Sequence, residues 1–135
     1  MTSIVDRFLV MEATGLVITL LSGLAIAVIG VLYLVRPRAV AAGFGLPVLP
    51  SPDATAWLRL KGVRDLTAGI VAGVLLLTAA PVVTGWVLLA FVLIPLGDAL
   101  TVLGSRGKTW AAWGIHGATA AIMLVGALLL LRAAR

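Results

Sequence analysis

The chain has 135 residues, of which 62% are hydrophobic and 11% charged, with no cysteine and a net charge of +5. This is more apolar than a soluble domain, for which about 25% charged residues is usual. The missing thiols exclude disulfides, thiolate metal sites and cysteine nucleophiles. The basic excess fits cytoplasmic loops of a membrane protein better than nucleic-acid binding.

The first apolar run, Ala13 to Val35, covers ~34 Å at 1.5 Å per residue, enough to cross a bilayer core of ~30 Å. Asp6, Arg7 and Glu12 mix signs before it, and it outruns the h-region of a signal peptide, so it reads as a retained helix over about 10–35. Arg36-Pro37-Arg38 stops it. The segment 39–50, AVAAGFGLPVLP, suits a loop at the membrane interface.

A second helix is expected over about 52–80, with Ser51 as cap and Pro52 in the first helical position. Its uninterrupted apolar part, Leu66 to Ala80, spans only ~22 Å, which draws Arg64 and Asp65 into the membrane. The third helix, about 82–103, has the same shortfall: Val82 to Gly97 covers ~24 Å, so Asp98 falls within the span. Pro95 should kink this helix and free a carbonyl one turn earlier. After the polar turn 104–109, a fourth helix over about 110–132 carries the single histidine, His116.

Four consecutive spans with short connections predict an all-α membrane protein, one domain built as an antiparallel up-down bundle. Arg36, Arg38, Arg59, Lys61, Arg106 and Lys108 lie on one side, which places loops 36–56 and 104–109 in the cytoplasm and both termini outside the cell membrane. Trp57, Trp86, Trp110 and Trp113 read as interfacial anchors, and Glu12 as interfacial.

In that topology Arg64, Asp98 and His116 lie ~8–10 Å from the same surface. Lys61, Arg64 and Asp65 stand at i, i+3 and i+4 on one helix face, followed by Ala68, Gly69, Ala72 and Gly73. The small residues of this face and of helices one and four suit close packing, self-association or an open cavity. The polar residues have a purely structural reading. Lys61 can snorkel to the interface, and Lys61, Arg64, Asp65 and Asp98 sum to zero, as a closed ion network would. Intramembrane ionisable groups nevertheless tend to serve function.

Several segments carry a family pattern: Arg36-Pro37 closing a glycine-rich span, AAGFGLP at 41–47, KGVRDLTAGI at 61–70, IPLGDALTVL at 94–103 and HGATA at 116–120. In their order and spacing the chain resembles the DUF4267 family of small four-span membrane proteins. The resemblance implies that Arg64, Asp65, Asp98 and His116 are that family's polar signature. It implies no activity.

The leading expectation is an enzyme that performs acid–base chemistry on a lipophilic small molecule taken from the membrane: an isomerisation, cyclisation or epoxide opening. Such chemistry needs a proton donor, an acceptor and a charge stabiliser. Asp98 or Asp65 and His116 fill the first two roles and Arg64 the third, with Lys61, Thr101 and Gly69 as substrate contacts. No cofactor is expected, and one histidine with scattered carboxylates makes no metal ligand set. A proton-coupled exporter using Asp98 or Glu12, and a partner subunit without chemistry, are the alternatives.

Overall fold

The computed structural model describes residues 3–134, and among these the regular structure is helical throughout. Helix α1 runs Ile4–Val35, beginning six residues before the expected start. Its N-terminus closes a capping box: the Asp6 backbone N–H donates to Ser3 Oγ (3.1 Å) and the Ser3 N–H donates to Asp6 Oδ2 (2.9 Å).

The segment expected as an interface loop instead begins with a short helix, α2, Pro37–Gly43, entered through Pro37 in the first turn. A 3₁₀ turn, Pro52–Ala54, then leads into α3, Thr55–Thr78, and Ser51 contributes no side-chain cap. Helix α4 spans Pro81–Gly104 and α5 spans Thr109–Ala133.

Helix α4 is broken at Val92, between stretches Pro81–Phe91 and Leu93–Gly104. Pro95 has no N–H to return to the carbonyl of Phe91 four residues earlier, so the ladder shifts. The Val92 N–H is shared between the carbonyls of Leu88 (3.1 Å) and Leu89 (3.3 Å). Helix α5 is also irregular: residues Ala112–Gly117 form a π-helical stretch that ends beside His116.

Helices α1, α4 and α5 are long and apolar enough to cross a membrane, which marks a membrane protein. Helix α3 is not among them: every 18-residue window of Thr55–Thr78 contains Lys61, Arg64 and Asp65. The outward-facing surface is apolar, and Trp57, Trp86, Trp110 and Trp113 are all exposed, as lipid-interface anchors would be.

Small residues set the packing. A Cβ at Gly69 would lie 2.6 Å from Ala27 Cβ and 2.7 Å from the Gly23 carbonyl oxygen, and one at Gly62 would lie 2.9 Å from the Gly30 carbonyl oxygen. Bare glycine is therefore what lets α1 and α3 touch backbone to backbone. At the far end, Gly15 faces Leu130 and Gly126 faces Ile18, which joins α1 to α5. A core of Leu88, Val92, Ala120, Met123 and Ala127 joins α4 to α5. Gly73, one turn beyond Gly69, packs against no helix: nothing lies within 4 Å of a Cβ there.

The two connections meet at one end of the bundle. The Lys108 N–H donates to the Gly45 carbonyl (2.7 Å), and Gly45 holds φ at +103°, a conformation that disfavours a side chain. A Cβ there would also collide with Ala111 at 2.6 Å.

Candidate functional site

The last turn of α1, the residue after α2, the first half of α3, the second half of α4 and the π stretch of α5 converge beneath these connections. Lys61 is held from its own helix, its Nζ donating to Asp65 Oδ2 at 2.8 Å in the i, i+4 relation. Asp65 is buried, with 5% of its surface exposed. From α4, Asp98 Oδ2 lies 3.9 Å from Lys61 Nζ and 3.9 Å from His116 Nδ1. The Lys61 ammonium also stands over the rings of Tyr33 (5.3 Å) and Phe44 (5.4 Å), within reach of their π faces.

His116 is oriented by Phe44. Its Nε2 lies 3.0 Å from the Phe44 carbonyl oxygen, and the two rings are 4.6 Å apart. A carbonyl can only accept, so Nε2 carries a hydrogen and Nδ1 is the nitrogen turned to Asp98. The π stretch, a device that recurs at functional sites, sets the position of His116 on α5.

These groups close one end of an apolar cavity of about 560 Å³. Lys61, Asp98, His116 and Tyr33 are at its polar end, and Thr19, Leu88 and Met123 lie deepest, so it extends ~21 Å along α1 from Tyr33 to Thr19. A long apolar enclosure with a few convergent polar groups is the usual form of a small-molecule site.

The sequence-derived candidates divide. Lys61, Asp65, Asp98 and His116 form one cluster, with Lys61, Asp98 and His116 lining the cavity and Asp65 behind Lys61. Arg64 is exposed on the outer face of α3, outside the cavity, and makes no ion pair among the described residues, so it does not join Asp98 and His116 as the charge stabiliser that its depth suggests. Thr101 is exposed and lines no part of the cavity, and Gly69 is a helix contact against Ala27. Glu12 lies beside Phe8 and Ala133 at the opposite end of the bundle. Among the described residues no three histidine or acidic side chains gather as metal ligands.

Phe44 and Tyr33 were not anticipated. Phe44 is the only aromatic residue in the 39–50 segment and is flanked by two glycines, and Tyr33 is the single tyrosine of the chain. Those are the signals by which they stand out.

The family model described as a domain of unknown function, DUF4267, matches residues 23–130. The chain belongs to the DUF4267 family. The matched region contains every residue of the cluster, from Tyr33 on α1 to His116 on α5, and the connections that position them. No curated protein and no solved structure matches this DUF4267 member.

Proposed function

We propose that this protein is an integral membrane enzyme that moves protons on a lipophilic small molecule by means of its own side chains, catalysing an isomerisation, cyclisation or epoxide opening. The observation that carries the reading is the 3.9 Å gap between Asp98 Oδ2 and His116 Nδ1 at the polar end of an apolar cavity. The gap is too long for a direct hydrogen bond and leaves the two groups to act on a third.

In an isomerisation, Asp98 or His116 removes a proton from carbon beside a carbonyl or alkene. The protonated partner returns one elsewhere on the same molecule, and the sum of atoms and charges is unchanged. Lys61, rather than Arg64, is the cation placed to stabilise negative charge on a substrate oxygen. Asp65 holds Lys61 and does not face the cavity.

The same proposal places all four long helices across the membrane in an antiparallel bundle. Helix α3 has 24 residues, ~36 Å, long enough to span. Its contacts support the direction: Gly30 of α1 meets Gly62 of α3, whereas the earlier Gly23 meets the later Ala72. Arg36, Arg38, Arg59, Arg106 and Lys108 at the connected end favour a cytoplasmic position for the connections and an outside position for both termini.

Deuterium exchange tests the function. Purified protein is incubated in D₂O with an organic extract of host membranes, and the lipids are read by mass spectrometry. Expected is a lipophilic species that gains deuterium with the wild type and not with Asp98→Asn. An extract unchanged by the wild type, or changed equally by Asp98→Asn, would refute the reading.

A further inference from the structure

The cavity walls differ in one respect from a closed pocket. Helix α1 packs against the later part of α5, Ala118–Ala133, while the π stretch before it turns to α4. Between them the cavity lining reaches the outer surface. Leu21, Ala25 and Ile29 on α1 and Ile115, Thr119 and Ile122 on α5 all line the cavity, and all six are exposed. Leu21 is 60% and Ile122 55% exposed. On a protein whose outer surface is apolar, this slot opens to acyl chains and not to water.

The polar end restricts the head group. Lys61 is matched by Asp65 at 2.8 Å, which leaves Asp98, His116 and the Tyr33 hydroxyl as the other ionisable groups on the cavity wall among the described residues. In an apolar enclosure the cluster is neutral when Asp98 and His116 together carry one proton, on either side of the 3.9 Å gap. A ligand with a carboxylate or phosphate would add an unmatched negative charge, and an ammonium would add a positive one. An uncharged oxygen function, a carbonyl or hydroxyl, accepts the held proton as a hydrogen bond and leaves the balance intact.

Size limits the rest. At the ~30 Å³ that a water-sized group occupies in a liquid, 560 Å³ takes roughly 19 non-hydrogen atoms. That matches one chain inside the cavity, and a second chain would have to lie outside it in the bilayer.

Resting on the acid–base reading above, we infer that the substrate is an uncharged single-chain lipid. Its oxygen function sits between Asp98 and His116, and its chain enters and trails through the slot between α1 and α5.

The test uses the wild-type protein in phosphatidylcholine nanodiscs and a long-chain alcohol bearing a diazirine midway along its chain. After irradiation, labelled positions are read by fragmentation mass spectrometry. Labels are expected at Leu21–Ile29 and Ile115–Ile122, and unlabelled octadecanol should suppress them about tenfold better than stearate or octadecylamine at equal concentration, a factor worth 1.4 kcal/mol. Labelling spread evenly to the lipid-facing Val63 and Val74 of α3 would overturn the proposal. Equal suppression by stearate would overturn the uncharged head group. Labelling reads occupancy and pose without turnover, so failure here leaves the deuterium result standing, and the reverse also holds.

Discussion

Two neighbouring aspartates should lose unequal amounts of stability when their charge is removed. Asp65 accepts from Lys61 at 2.8 Å and is buried, whereas Asp98 lies 3.9 Å from the same ammonium and its side chain is 28% exposed to the cavity. Removing one partner of a buried pair leaves the other unmatched, typically at about 3–5 kcal/mol. The Lys61 side chain is 27% exposed, which puts Asp65→Asn near the lower figure, about 3 kcal/mol. Asp98→Asn leaves Lys61 with Asp65 and should cost about 1 kcal/mol or less, the worth of a longer, partly solvated contact. Unfolding in detergent, followed by circular dichroism against denaturant, measures both. Equal losses, or a larger loss for Asp98→Asn, would refute the assignment of Asp65 to structure and Asp98 to chemistry.

Gly69→Ala should destabilise by about 1–3 kcal/mol, because the new methyl falls 2.6 Å from Ala27 Cβ, while Gly73→Ala should be neutral or gain up to about 1 kcal/mol from helix propensity. The same unfolding assay distinguishes them. Arg64→Gln should change stability by less than about 0.5 kcal/mol and leave deuterium exchange intact, since Arg64 lies on the outer face of α3. With single cysteines at Ser3 and Ser105, an impermeant thiol reagent on intact cells should label position 3 and spare position 105, and the reverse pattern would invert the proposed topology.

The membrane class, the helix ends at proline and arginine, and the convergence of Asp98 with His116 were legible in the sequence, because span length and topology alone fix depth. Arg64 was misplaced because i, i+3 and i+4 spacing leaves the centre of the buried stripe open. Gly62, Asp65, Gly69 and Ala72 define that centre in the structure, and at 100° per residue Arg64 stands roughly 120° from it. The bare glycines that meet α1 decide the rotation, and their partners lie on another helix. The π stretch carries no sequence signature, and the Phe44 carbonyl that holds His116 is a backbone atom, which no residue pattern reveals.

His116 is the only histidine, so nitrogen NMR of histidine-labelled protein reads the site without overlap. In the neutral ring Nε2 should carry the hydrogen against the Phe44 carbonyl, and the Nδ1 signal should change in Asp98→Asn and not in Arg64→Gln. A histidine protonated on Nδ1 alone, or an Nδ1 signal indifferent to Asp98, would contradict the placement of Nδ1 against Asp98 on which the account rests.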